Sequence, residues 1–231
     1  MTITSIPTTL HGLGLLEEND VQRVLTATVT SCSPDVAVLR VEHPFPGGPR
    51  DVVMPASEFY PDITWAVGET YVVEQMNNDP RPLVSVTRPS LVSLLIESIS
   101  PPVLDGEVRV MAVVRQPGVR SKVAVAATVA DLDPVAAVVG HAAQRVEQLR
   151  TALRGERVDV IVYDADPLEF LKNAFAPASV DDVRAVPGHA GHAVEVVVPR
   201  HQIAAAVGSG GLNATLAGRL TGYHVTVVAA S

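Results

Sequence analysis

Residues 203–228, IAAAVGSGGLNATLAGRLTGYHVTVV, carry the pattern that decides the fold, and residues 135–162 repeat it as VAAVVGHAAQRVEQLRTALRGERVDVIV. In each copy a short apolar helix meets a glycine, a four-residue loop follows, and a longer helix ends at Leu-x-Gly before a strand. The bounding glycines are 15 residues apart in the first copy (140 and 155) and 14 in the second (208 and 222). The sequence therefore predicts two related domains.

The loop between the paired helices indicates binding of single-stranded nucleic acid. The second loop, Gly208-Ser209-Gly210-Gly211, has a glycine at each end, and the helix–GxxG–helix–strand unit is the signature of the KH domain, whose loop clamps a sugar-phosphate backbone. Cβ atoms here would hold phosphates away from the chain. The backbone N–H groups that open the next helix then face the anion, aided by the helix dipole. The first loop, Gly140-His141-Ala142-Ala143, keeps only the first glycine.

The segments around the repeat complete the predicted organisation. Five short β-rich runs within about 65 residues fit a small S1/OB-like barrel. Asp-Pro pairs at 133–134 and 166–167 predict helix starts, with an N-cap acceptor followed by proline at the first helical position. We expect an N-terminal arm (1–21), the barrel (22–88), a linker helix (89–106), a first KH domain (107–163) and a second KH domain (164–231).

Composition limits the function classes. The chain has 231 residues, 47% of them hydrophobic but only 4% aromatic, and a single cysteine, Cys32, which excludes a disulfide framework within the chain. The N-terminus does not have the pattern of a signal peptide, and no apolar run is long enough for a membrane span, so the cytoplasm is the expected compartment. The net charge of −8 lies entirely in residues 1–106, since residues 107–231 are balanced. Missing basic residues argue against nucleic-acid binding, which usually leaves a basic footprint.

About residues 22–229 resemble the NusA family of bacterial transcription termination and antitermination factors. The most specific segments are VMAVVRQPGVRSKVAV (110–125), DPVAAVVG (133–140), LRGERVDVIVYDADPLEFLKNAFAPA (153–178) and VEVVVPRHQIAAAVGSGGLNATLAGRLTGYHVTV (194–227). The resemblance implies an α+β chain in which a small S1/OB-like β-barrel precedes two KH domains of the bacterial type (type II). It also implies single-stranded RNA as ligand, and RNA polymerase or other elongation factors as partners.

Three departures from the family pattern bear on that expectation. Family members in bacteria carry a polymerase-binding domain ahead of the barrel, and we expect it to be absent here because only about 20 residues precede the barrel. The first loop has Ala143 in place of the second glycine, and His141 where the family usually has a basic residue. The second loop keeps its glycines but has no basic residue, and each lost phosphate contact weakens binding.

The candidate RNA-binding residues follow from the two loops and the first KH hairpin. Asn213 matches an asparagine that follows the loop in the family, and it could either donate to RNA or be an exposed helix residue. Arg120 and Lys122, two residues apart, share one face of a strand, where they could contact RNA or solvent. The full set is Gly208, Ser209, Gly210, Gly211, Asn213, Gly140, His141, Arg145, Arg120 and Lys122.

Three functions remain open from the sequence. The leading hypothesis is an RNA-binding regulator of transcription, without catalytic residues, cofactor or metal. The second is a protein-interaction module that keeps the KH folds but has lost most RNA binding, which the acidic first half and Ala143 favour. The third is a ligand-binding protein or enzyme built on the same KH scaffold. Its only support is the His189-x-x-His192 spacing and scattered carboxylates, and a solvated turn is the simpler interpretation of that spacing.

Overall fold

A computed structural model describes residues 23–42, 48–61, 63–77, 81–186 and 192–230. The arm predicted for residues 1–21 and His189 of the HxxH spacing lie outside these ranges. The described residues pack into two compact units. Among the described residues, the first unit comprises those up to Pro101 together with 117–119 and 145–156, and the second comprises those from 102 to 116, from 120 to 144 and from 157 onward.

The first unit contains a five-stranded antiparallel barrel. Its strands are β1 (Val24–Cys32), β2 (Val36–Val41), β3 (Arg50–Pro55), β4 (Thr70–Gln75) and β5 (Val84–Ser85), in the order β3-β2-β1-β4-β5. A bridge between Val53 and Leu83, with Val53 N donating to Pro82 O at 2.9 Å, joins the edge strand β3 to the segment before β5 and nearly closes the sheet. Alternate residues of β1 point inward, as period-two patterning requires: Leu25, Ala27 and Val29 are buried.

An aromatic cluster completes the barrel core. Trp65 stacks on Tyr71 with ring centroids 4.0 Å apart and on Phe59 at 4.9 Å. In the same unit, the Arg154 guanidinium lies 4.4 Å from the centroid of the Tyr71 ring and its Nη2 is 3.4 Å from Glu69. Burial and the hydrogen bond to Glu69 raise the pKa of Tyr71. The aromatic residues that the structure describes in this unit therefore serve packing.

Two helices follow the barrel. Helix α1 (Pro89–Ile99) has proline at its first position, and its buried side chains lie on one face: Leu91, Val92, Leu95 and Ile96. Helix α2 (Pro101–Leu104) is a single turn in which Val103 is buried. No helix in the described ranges is long and apolar enough to cross a membrane.

The first KH domain has a three-stranded sheet in the order β6-β7-β8. Its elements are β6 (Val108–Gln116), β7 (Arg120–Ala127), α3 (Pro134–Val139), α4 (Gln144–Ala152) and β8 (Arg157–Val162). Strand β7 pairs antiparallel with β6 and parallel with β8. The Asp133 carboxylate caps α3, accepting from the backbone N of Val135 at 2.9 Å and Ala136 at 3.0 Å.

The second KH domain has the same arrangement of strands and helices. Its elements are α5 (Pro167–Ala174), β9 (Asp182–Ala185), β10 (Ala193–Val198), α6 (Ile203–Val207), α7 (Leu212–Thr221) and β11 (His224–Ala229). The sheet order is β11-β10-β9, with β10 antiparallel to β9 and parallel to β11. Asp166 caps α5 as Asp133 caps α3. The predicted fold class, an S1-like barrel followed by two KH domains, is confirmed.

The two KH sheets share one core within the second unit. Ala124 of β7 and Ile161 of β8 pack in the same cluster as α5, α6, α7 and β10 residues of the second domain, among them Leu171, Val196 and Leu220. One face of the first KH sheet is therefore covered by the second KH domain.

Candidate nucleic-acid interface

The two loops have nearly the same backbone conformation. Gly140 has φ 75° and ψ 175°, and Gly208 has φ 74° and ψ 173°. In the third position, Ala142 has φ 50° and ψ 33° and Gly210 has φ 58° and ψ 22°. The fourth residue of each loop also has positive φ, and its N–H donates to the O of the first glycine, at 3.2 Å in the first loop and 3.1 Å in the second.

The same shape is strained in the first loop and relaxed in the second. Ala142 and Ala143 are both left-handed, a conformation that costs an L-residue about 1–2 kcal/mol because its Cβ crowds the following carbonyl. Gly210 and Gly211 adopt it without a Cβ, and a Cβ built on either would meet no neighbouring atom within 4 Å. The second loop therefore presents bare backbone where the first presents two methyl groups.

The buried side chain of Asn213 anchors the second loop to the neighbouring helices. Its Nδ2 donates to Ala206 O of α6 at 3.0 Å and to Phe175 O, the residue after α5, at 3.2 Å. The side chain is 0% exposed and its Nδ2 is bound within the protein, which corrects both expectations for Asn213, a donor to RNA and an exposed helix residue. The amide instead ties the start of α7 to both neighbouring helices.

Gly208 is required by the position of Asn213. A Cβ built on Gly208 would lie 2.8 Å from both the backbone N and the Cβ of Asn213. The backbone of Gly208 is also in the positive-φ, extended region that is essentially restricted to glycine. This glycine is explained by local packing, whether or not a phosphate approaches the loop.

The part of the second loop that faces outward is small and uncharged. Ser209 and Gly210 are exposed, and α7 begins directly after Gly211. The N–H groups of Gly211 and Leu212 donate to Gly208 O and Ser209 O within the loop, and the start of α7 carries the positive end of its helix dipole. Residues 203–218 include no charged side chain, so attraction of an anion here depends on backbone groups.

A groove runs along α7 beside the edge strand β11. Its volume is about 460 Å³. The lining residues are Ala214, Thr215, Gly218, Arg219, Gly222, Tyr223, His224 and Val225. Gly218 keeps helix and strand close, because a Cβ there would lie 2.6 Å from Tyr223 O. The groove is lined mainly by small and apolar groups, with one arginine at its border.

Arg120 and Lys122 share one strand face, as predicted, but that face is covered. Both bind the same carboxylate: Arg120 Nε lies 2.6 Å and Lys122 Nζ 3.3 Å from Asp159 Oδ2. Lys122 is 0% exposed and its Nζ also donates to Ala176 O at 2.9 Å, which corrects the expectation of a side chain open to RNA or solvent. Burial lowers the pKa of Lys122 to about 8, against the opposing charge of Asp159.

The remaining first-loop candidates are accessible to different extents. His141 is exposed at the second position of the loop. Arg145 is half-buried and occupies the position, five residues after the first glycine, that Asn213 occupies in the second copy. Contact of these residues with RNA stays a prediction.

Sequence reasoning missed two features of the site. Alanine itself does not indicate a left-handed backbone. The signal that could have predicted this conformation at Ala142 and Ala143 is their alignment with Gly210 and Gly211 in the repeat. The burial of Lys122 depends on the second domain covering the sheet, which strand periodicity does not report.

Within the described residues, no three His, Cys, Asp or Glu side chains are grouped as a metal site would require.

Comparisons with known proteins agree with the geometry. Residues 86–163 match the model of the NusA-like first KH domain, and residues 167–231 match that of the NusA-like second KH domain. The first match begins at residue 86 and so includes α1, which lies within the predicted linker at 89–106.

Curated relatives carry the name transcription termination/antitermination protein NusA. The protein of Mycobacterium tuberculosis is 39% identical over 180 residues, covering 76% of this chain and 52% of that protein. The protein of Bacillus subtilis is 35% identical, and the match covers 78% of this chain and 49% of that protein. The protein of Thermus thermophilus is also 35% identical, and the match covers 77% of this chain and 45% of that protein. This chain thus spans about half the length of the curated relatives it matches. With both KH models matched and a third or more of the aligned residues identical, the chain belongs to the NusA-like family.

Proposed function

We propose that the chain binds single-stranded RNA through the second loop and the groove beside α7, and that it regulates transcription elongation, termination or antitermination. The observation that carries the proposal is the second loop, in which Gly210 and Gly211 present bare backbone at the start of α7. The names of the curated relatives supply the transcription setting. RNA polymerase or other elongation factors are the proposed protein partners.

The chemistry of the loop suits a phosphate. Glycine backbone lets the sugar-phosphate chain approach the start of α7 closely, where the positive end of the helix dipole favours an anion. Bases would then lie in the groove between α7 and β11, where Gly218 holds helix and strand together and Tyr223 and Val225 supply apolar surface. This is recognition of a single strand by backbone and packing contacts.

Because residues 203–218 contain no charged side chain, the proposal predicts how the affinity for RNA depends on salt concentration. Affinity for nucleic acid falls with salt in proportion to the number of phosphates that cations neutralise. Because few cations flank the second loop, we expect weak binding whose dependence on salt is shallow, with a log–log slope of about −1 to −2. A steeper slope would point to a basic surface elsewhere.

Fluorescence anisotropy with a labelled, mixed-sequence single-stranded RNA tests the proposal directly. Ser209→Asp is the most informative variant, because Ser209 is exposed and its backbone is outside the positive-φ region of its neighbours. The added carboxylate would repel a phosphate a few Å away, and we expect affinity to fall about tenfold. Ser209→Asn, of the same shape without the charge, is the matched control and should bind within about twofold of the parent chain.

Gly208→Asp, the substitution that the GxxG pattern suggests first, is less specific. A side chain at 208 would collide with Asn213 and so disturb the loop, whatever binds there. Loss of binding in Ser209→Asp with binding retained in Ser209→Asn supports the proposal. No binding by the parent chain at low salt would contradict it and would favour the protein-interaction module suggested by the net charge of −8.

A further inference from the structure

Two consecutive carbonyl groups after helix α5 are each bound by a buried side chain from a different part of the second unit. Phe175 O accepts from Asn213 Nδ2 at 3.2 Å, and Ala176 O accepts from Lys122 Nζ at 2.9 Å. Asn213 belongs to α7 and Lys122 to β7 of the first KH sheet. Both side chains are 0% exposed.

The two contacts, joined by the backbone between Phe175 and Ala176, connect the first KH sheet to the second loop. The Asp159 carboxylate, which also binds Arg120, holds one side of the Lys122 ammonium, and Ala176 O holds the other. On the neighbouring peptide group, Asn213 holds Phe175 O and, through the same Nδ2, Ala206 O. Ala206 and Asn213 lie on the two sides of the second loop, two residues before Gly208 and two after Gly211.

The carbonyl groups at the end of a helix are suited to such contacts. Phe175 and Ala176 directly follow α5, at the negative end of its dipole, where a cation is favoured, and Phe175 O also accepts from Ala178 N at 3.0 Å. A lysine that lies wholly inside the protein loses its hydration and is retained only where other groups replace it. Asp159 and Ala176 O provide those groups for Lys122.

We propose that Lys122 is a positioning residue for the second loop: by holding Ala176, it fixes the adjacent Phe175 carbonyl to which Asn213 anchors the base of the loop. The claim that this placement affects RNA rests on the proposed function, whereas the placement itself does not. Lys122 thus acts on the binding site of the second KH domain from the sheet of the first, without contacting the ligand.

Lys122→Met tests the assignment. Methionine has similar length and is apolar, and Asp159 keeps its ion pair with Arg120 at 2.6 Å, so no buried charge is left unpaired and the variant should fold. Lys172→Met is the matched control: it makes the same chemical change and the same change in net charge on α5, at a partly exposed side chain paired with Glu169. Asp159→Asn is a second variant that weakens the hold on the ammonium and changes no side-chain volume.

The first measurement is amide hydrogen exchange of the full chain without RNA. We expect exchange in residues 208–213 to quicken about fivefold in Lys122→Met, less in Asp159→Asn and not in Lys172→Met, because local opening follows the loss of local anchoring. A purely structural role would raise exchange equally in β10 and β11. Unchanged exchange at 208–213, or a rise spread evenly over the sheet, would overturn the proposal.

The second measurement is RNA anisotropy with the same variants. Lys122→Met should weaken binding about threefold to fivefold and Lys172→Met by less than twofold, since both lose one positive charge but only one loses the anchor. Faster exchange at 208–213 without RNA binding in any chain supports the positioning role and contradicts the proposed function. RNA binding that Ser209→Asp weakens and Lys122→Met does not would overturn the positioning role alone.

Discussion

The first and second loops have one backbone shape and two different sequences. Gly140 and Gly208 agree within 2° in φ and ψ, yet the residues that follow are His-Ala-Ala in one loop and Ser-Gly-Gly in the other. In the first loop two alanines hold the left-handed conformation, and in the second two glycines do. Strain of this kind persists only where the surrounding structure determines the conformation. The helices on either side of each loop therefore set its shape, and the residues within it set what it can bind.

The two loops also differ in the side chain that follows them at the start of the next helix. Five residues after the first glycine, the second copy has the fully buried Asn213 and the first copy has the half-buried Arg145. Asn213 joins α7 to α5 and α6 through one amide nitrogen. The second loop thus combines bare backbone with the buried anchor Asn213. The first loop combines two methyl groups with Arg145, whose longer side chain is partly exposed. We infer that the second loop carries most of the RNA affinity.

The largest effect on stability should come from Gly208→Ala. The new methyl group would lie 2.8 Å from the backbone N and Cβ of Asn213, in a backbone region that only glycine tolerates. We expect a loss of about 2–4 kcal/mol in the free energy of unfolding, measured by urea denaturation. Gly211→Ala is the control, because its methyl group would meet no atom within 4 Å. Equal losses in the two variants would contradict the role given to Asn213.

An effect of intermediate size concerns the charge on Lys122. Burial lowers its pKa to about 8, below the ordinary value of 10.5, so between these values the unfolded chain binds more protons than the folded chain. Stability therefore rises with pH across this interval. From pH 7.5 to 9.5 the parent chain should gain about 1–2 kcal/mol relative to Lys122→Met, measured by urea denaturation at each pH. A difference that stays constant, or that changes in favour of the variant, would show that the ammonium is not destabilised by burial.

The smallest effect comes from exchanging residues between the loops. Ala143→Gly removes left-handed strain but adds chain entropy to the unfolded state, so we expect a net stabilisation of about 0.5–1 kcal/mol. Gly211→Ala makes the reverse change at the matching position and should destabilise by a similar amount. Differential scanning calorimetry of the two variants measures both shifts. If Ala143→Gly lowers the melting temperature, the first loop is not strained as described.

Much of this arrangement could be predicted from sequence because it is local. The repeat at 135–162 and 203–228, the Asp-Pro helix starts and the alternating residues of β1 each depend on neighbours in the chain. Arg120 and Lys122 were correctly placed on one strand face, since strand periodicity decides that. Their burial depends on segments 37 or more residues away in the chain, as does the bond from Asn213 to Phe175, and no local pattern reports such contacts.

The most direct test of the account compares Ser209→Asp with His141→Asp, which place the same carboxylate at the second position of each loop. Both side chains are exposed, and Ser209→Asn and His141→Asn serve as neutral controls. The measurement is the affinity of the full chain for one labelled single-stranded RNA at low salt. The account predicts about a tenfold loss for Ser209→Asp and less than about threefold for His141→Asp. An equal or larger loss for His141→Asp would contradict the claim that the second loop carries most of the RNA affinity.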